Sequence, residues 1–263
     1  NPYVRSLQLN GTGSDAQSGT LGYTGVDALA IGSDCAWAYA INQTDGNGFN
    51  LHRLGSASST GTTVGWFSAG VTGFQQPTAG AIKRVGTSDL YYFGYYTYAG
   101  GTATFQLFAH NVTTSTFIGR VAQIAMPAAA TSAGAGGDIA FDAQGNLVLL
   151  WSVSDARLLQ SNRTPSVLAR LSANDLPTTV PGSLARTATL LATVDTAQSS
   201  PWNGLAYDMG GELWLQRAST LLGVFGFTYL RRVNPATGAL QGTEESKFGY
   251  TGTDLASYRE TEP

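Results

Sequence analysis

The chain has 263 residues, of which 12% are charged and 11% are Phe, Tyr or Trp, with a formal net charge of −3. Its 14 Lys and Arg are scattered, in no run longer than the pairs Lys83-Arg84 and Arg231-Arg232, which excludes the basic footprint that draws nucleic acid or an anionic membrane. The longest apolar run, Leu221 to Phe227, is broken by Gly223 and Gly226 and falls far short of the ~18 residues of a membrane-spanning helix, so no membrane insertion is expected.

In chain order, the first readable strands are Tyr3 to Leu7 and Thr20 to Gly22, with an Asn10-Gly11-Thr12-Gly13 turn between them. An apolar-Ala step then recurs at Leu29-Ala30, at Ile139-Ala140, at Leu205-Ala206 and at Leu255-Ala256, and in altered form at Ile82-Lys83. Each of the first four of these positions along the chain is followed by a strand of nearly continuous apolarity: Ala36 to Ile41, Leu90 to Tyr95, Leu147 to Trp151 and Leu213 to Leu215. Continuity of that kind marks strands covered on both faces. Third strands, with alternation restored, read at Phe49 to Leu54, Phe105 to Phe108, Val167 to Leu171 and Tyr229 to Val233. More polar fourth strands follow at Thr63 to Phe67, Phe117 to Val121, Thr189 to Val194 and Ser246 to Gly249.

A period of roughly 40 to 50 residues made of short strands and Gly-rich turns is the signature of a β-propeller, one repeat per four-stranded blade. The fold expected is therefore all-β: a five-bladed β-propeller forming a single domain over residues 1–263. Its blades are expected at about 26–67, 80–121, 137–194 and 203–249, with the last made from 253–258 and 3–22 by pairing the two chain ends. Small Ala residues suit inner strands that converge on a narrow channel, and Lys83 would put a charge in or near it. The last blade has no second strand, which leaves open edges of the kind that recruit a strand from another copy or chain.

Asn203-Gly204-Leu205-Ala206-Tyr207-Asp208, Gly211-Glu212-Leu213-Trp214 and Leu230 to Gly238 together resemble secreted and cell-surface propellers of the NHL-like, YVTN-like and bacterial surface-adhesin kinds. The resemblance implies fold and an extracellular setting. It carries no catalytic residue, because its glycines and Asn-Pro steps are turn chemistry. Blades one and two depart from this grammar at Ser33-Asp34 and Thr87-Ser88-Asp89, and blade three inserts Asn174 to Arg186.

Asp27, Asp138 and Asp254 each precede an inner-strand apolar residue and would crown one mouth of the channel. There they would hold Ca²⁺ or a polar ligand, or else cap their own turns. Asp142 and Asp208 read as turn caps at the other end. Two loops on the crown's face are unusual. Tyr95 to Gly101 gathers tyrosines, Tyr96 and Tyr98 among them, and Leu221 to Phe227 places Phe225 and Phe227 where a polar turn is expected. They would offer contact area to a sugar face or a protein partner, or be strands extended into the core. His52 and His110 lack metal-ligand spacing and read as structural.

Cys35, the only cysteine, excludes an internal disulfide and is expected as a small buried residue on a strand. The first residue is Asn1 rather than Met, as in a processed or trimmed chain. Sequons at Asn10, Asn42, Asn111 and Asn162 would be glycosylated in a eukaryote. No Glu falls on an inner strand, and no nucleophile elbow, zinc or nucleotide fingerprint occurs. The residues thus point to an extracellular, non-enzymatic binding or structural module in adhesion or a surface assembly. Its alternative is a glycan-active propeller, hydrolase or lectin, working at the channel mouth.

Overall fold

The structure, a computed structural model, describes residues 3–6, 16–20, 26–55, 60–130, 135–153, 166–194, 201–221, 225–248 and 256. The N-terminal strands β1 (Tyr3–Ser6) and β2 (Ala16–Thr20) pair with each other as an antiparallel two-stranded sheet. Blade one is β3 (Asp27–Ile31), β4 (Trp37–Asp45), β5 (Gly48–Gly55) and β6 (Thr62–Ser68) in sequential antiparallel order. Blade two is β7 (Ala79–Val85), β8 (Ser88–Ala99), β9 (Thr102–Asn111) and β10 (Thr116–Ala125).

Blade three begins with the short β11 (Ala135–Gly136) and β12 (Ile139–Phe141), both paired with β13 (Leu147–Val153), and continues through β14 (Ser166–Leu171). After it come β15 (Ala185–Thr187) and β16 (Thr189–Val194), of which only β16 joins blade three. Blade four is β17 (Gly204–Tyr207), β18 (Leu213–Leu221), β19 (Phe225–Val233) and β20 (Leu240–Phe248).

The first strands of the four blades pack in sequence, β3 on β7, β7 on β12 and β12 on β17. Leu29, Ile82, Ile139 and Leu205 therefore lie on adjacent inner strands, as the apolar-Ala alignment predicts. The propeller has four blades among the described residues, not the five expected. The difference arises at the chain ends. Tyr3–Ser6 and Ala16–Thr20 close on each other as a hairpin, and Thr253 to Tyr258 lies outside the described residues except Ala256, which is in no strand. Leu255 and the proposed docking of a donated strand fall outside them too.

Alternation across each blade divides the core into interfaces. From β13, Leu147, Leu149 and Trp151 face blade two, among Tyr92, Phe105, Leu107 and Ile124. Val148 and Leu150 of the same strand face blade four, among Leu205, Leu213 and Leu215. This two-sided burial is why the second strands read as unbroken apolar runs. Between blades one and two the filling is aromatic, with Phe49, Phe74, Phe93 and Phe108 in edge, tilted and stacked contacts 5.1–5.7 Å apart.

The blade-three insertion crosses to its neighbour. Strand β15 adds to the outer edge of blade two in parallel with β10, Gln123 opposite Ala185, and the Tyr92 hydroxyl donates to the Pro177 carbonyl at 3.1 Å. Cys35 departs from expectation, because it is exposed in the β3–β4 turn with φ of 56°. The turn bond from its amide to the Gly32 carbonyl, 3.0 Å, holds the chain outward before β4 begins.

Candidate functional site

One of the crown residues forms a joint between blades. Asp138 is fully buried at the start of β12. Its Oδ1 accepts the Ile139 amide at 2.7 Å, and its Oδ2 accepts the Leu205 amide of blade four at 2.7 Å. The same residue's backbone exchanges bonds with Leu150, 3.2 and 2.8 Å. Gly137, with φ of 140°, has no room for a Cβ beside the Leu150 carbonyl, so only glycine brings the chain into this corner.

Tyr96 arrives at the same point from blade two, its hydroxyl donating to the Leu150 carbonyl at 2.7 Å. Burial, and then the charge of Asp138, push that hydroxyl's pKa well above the usual tyrosine value. Two of the predicted site residues thus meet on one carbonyl where blades two, three and four converge. Asp27 lies apart from them in blade one. Its Oδ1 accepts the Ala28 amide at 3.0 Å where β3 bulges, with Ala28 at φ 60°. Asp254 is outside the described residues, and among those described no three His, Cys, Asp or Glu side chains cluster as a metal site.

Lys83 sits toward the opposite end of its strand. Its ammonium donates to the Gly145 carbonyl of the β12–β13 turn at 2.8 Å and lies 5.6 Å from the Phe141 ring. Burial lowers its pKa, and Asp142 opposes the shift. The charge read as a channel feature therefore ties blade two to blade three. Asp142 caps its own turn by accepting the amides of Gln144 and Asn146 at 3.0 and 2.8 Å. Asp208 does the same for Glu212, 2.8 Å, and takes the Trp214 indole N–H at 2.9 Å.

Neither unusual segment is a simple loop. The tyrosine segment continues β8 as far as Ala99, paired throughout with β9. Tyr95 and Tyr96 are buried, and Tyr98 is half-buried against the blade two–three core. The second segment extends β18 to Leu221 and begins β19 at Phe225. Phe227 is half-buried and stacks on Tyr229 with centroids 6.0 Å apart. Asn42 is half-buried and its Oδ1 meets His52 Nε2 at 2.9 Å, while Asn111 Oδ1 accepts the Thr114 amide at 3.0 Å. Asn10 and Asn162 lie outside the described residues.

Three features are missing from the sequence reading. Asp89 accepts both the amide and the hydroxyl of Ser33, 3.0 and 2.6 Å, and the Arg84 guanidinium at 2.9 Å. Burial opposes its ionisation, yet the two Ser33 bonds and Arg84 outweigh burial and hold its pKa below the usual value. Arg217, itself buried, forms a two-point pair with the half-buried Glu244, 3.0 and 2.6 Å, beneath the Tyr229 ring at 3.9 Å. On the rim of blade one, Trp66 is 53% exposed while its indole N–H is fixed to Thr44 Oγ1 at 3.0 Å. Only the aromatic itself signals this last feature in the sequence, since an outer strand gives no cue to which side chains stay uncovered.

No protein-family model matches the chain, and no curated protein matches it by sequence. Solved structures do resemble it. An α-L-arabinofuranosidase from Fusarium graminearum is 10% identical with a TM-score of 0.47, over 87% of this chain and 69% of its own. A gluconolactonase from Xanthomonas campestris is 13% identical with a TM-score of 0.47, over 89% of this chain and 66% of its own. TolB from Acinetobacter baumannii is 11% identical with a TM-score of 0.41, over 94% of this chain but only 50% of TolB. At this distance the likenesses transfer no activity, substrate or partner.

Proposed function

We propose that the chain is an extracellular glycan-recognising propeller that binds carbohydrate without cleaving it. The observation that carries the non-catalytic part is the state of Asp138. General acid–base hydrolysis of a glycosidic bond needs two carboxyl groups flanking an accessible space. Asp138 has no exposure, and each of its oxygens already accepts a backbone amide. A carboxylate held this way is a structural anchor, because taking it for chemistry would strand two buried N–H groups. Glycan as the ligand class is supported by a chain low in charge, with an aromatic ring held open on its rim among hydroxyl and amide side chains.

The test is a direct one. Incubation with a panel of oligosaccharides, read by product chromatography, is expected to release nothing, while a glycan array is expected to show binding. Turnover that survives repurification but is abolished in Asp138→Asn would overturn the reading. Ca²⁺ at the crown would need Asp27 and Asp254 as ligands, and a rise in melting temperature at millimolar Ca²⁺ that is lost in Asp27→Ala is its sign.

A further inference from the structure

We infer that Trp66 and Asn50, on the face of blade one turned away from blade two, form a stacking subsite for a neutral pyranose. The inference rests on the glycan reading and moves the sugar from the channel mouth to the rim. Trp66 is on β6, directly opposite Asn50 of β5, which is itself opposite Asn42 of β4. Side chains at these paired positions share one face of the sheet.

The indole lies down on that face. A Cβ placed on Gly48 would come within 2.5 and 2.7 Å of two of its ring atoms, so the ring occupies the space a side chain would take there. Its edge is fixed as well, because the indole N–H donates to Thr44 Oγ1 at 3.0 Å and Thr44 Oγ1 reaches the Gly48 carbonyl at 3.4 Å. With one side of the ring against the glycine and the residue still 53% exposed, the other side is the one turned to solvent. A large aromatic held rigid and open spends no conformational freedom on binding a flat partner.

The surroundings choose that partner. Asn50 is half-buried, and no described residue bonds its amide. Asn42 Oδ1 accepts from His52 Nε2, whose Nδ1 meets Thr63 Oγ1 at 3.3 Å, so the Asn42 amide is held in place, and no described residue takes its N–H₂. Among the described residues no Lys, Arg, Asp or Glu takes part in this set of contacts, so the set favours an uncharged ligand. A pyranose with equatorial hydroxyls presents an apolar C–H face to a ring and a girdle of hydroxyls to amides, which matches both parts. A furanose has no comparable flat face.

Fluorescence titration with xylohexaose, cellohexaose and arabinohexaose tests the assignment, with thermal melts run on every variant. The expected result is binding of at least one pyranose hexasaccharide, weaker or absent binding of the furanose, and a loss of ten-fold or more in Trp66→Ala. Trp66→Phe, which keeps a ring, should retain affinity within about five-fold, and Asn50→Ala should lose about three- to ten-fold, all at unchanged melting temperature. A pyranose ligand whose affinity Trp66→Ala leaves intact overturns the subsite while the glycan reading stands. Binding of none of the three probes, with no binder on the glycan array, overturns both. Should Trp66→Ala melt early, Trp66→Phe and Asn50→Ala decide alone, and no change in Asn50→Ala refutes the subsite.

Discussion

The interface between blades one and two and the one between blades three and four do the same geometric work with different chemistry. The first is an aromatic mass, Phe49, Phe74, Tyr91, Phe93 and Phe108, with the titratable group His110 inside it and Asp89 clasped at its end. The second is largely aliphatic, Val148, Leu150, Leu168, Leu205 and Leu215, and is pinned by one buried carboxylate. Apolar burial drives both to pack, but it is non-directional. Position along the axis is set by the few polar bonds, so the two joints should fail under different conditions.

The largest effect is expected at Asp138. Replacing it with Ala leaves the amides of Ile139 and Leu205 buried without acceptors, each at about 1–3 kcal/mol, for a total of about 4 kcal/mol. A fall of about 10 °C in melting temperature follows for a chain of this size. Asp138→Asn offers one acceptor for two donors and should recover only part of the loss. Full stability in Asp138→Ala would show that the carboxylate does not hold the blades, and would reopen it as a functional group.

The strands and their two-sided burial were legible because the residue pattern itself reports burial: Leu147 to Trp151 is apolar at every position, and each side chain finds an apolar neighbour on one side or the other. The blade count was not legible. Tyr3–Ser6 has the pattern of a third strand but pairs locally with Ala16–Thr20, and pattern carries no information about partner. Neither was the use of the departures from the repeat. Ser33 and Thr87-Ser88-Asp89 break the turn grammar of their own blades because Ser33 and Asp89 bond across blades, 56 residues apart in the chain. Lys83 is similar, since its partner is a carbonyl, which no sequence displays. For the candidate site, the aspartates were found but their accessibility was not, because burial of a carboxylate follows from the neighbouring blade.

A second prediction separates the two interfaces by pH. His110 is fully buried, its ring 4.6 Å from Phe67, and neither ring nitrogen has a partner among the described residues. Burial lowers its pKa from 6.5 to about 4, and does the same to His52. The unfolded chain takes up these protons first, so their contribution is intact above pH 6.5 and is lost as pH falls toward about 4. For His110 the loss is on the order of 3 kcal/mol by pH 4. His110→Leu should flatten the stability profile across this window, and amide exchange should show β5 and β9 opening in acid before β13 and β17. Equal opening of both pairs would mean that the aromatic interface is not the acid-labile one.

The smallest effect is expected at the clasp, where Arg84 is well exposed and its pairing is screened. Ser33→Ala removes one of three donors to Asp89 and should cost about 1 kcal/mol. Its informative consequence is on ionisation. In the parent, Asp89 is held below the ordinary carboxylate value, so its contribution is present above that value and lost as pH falls below it. Without the Ser33 hydroxyl, burial meets less opposition and the pKa rises. The acid limb of the stability curve should then be shallower and end at higher pH in Ser33→Ala than in the parent, and the Asp89 carboxyl resonance should titrate higher by NMR. An unmoved titration would assign the depression to Arg84 and the Ser33 amide, and Arg84→Ala would then have to produce a shift.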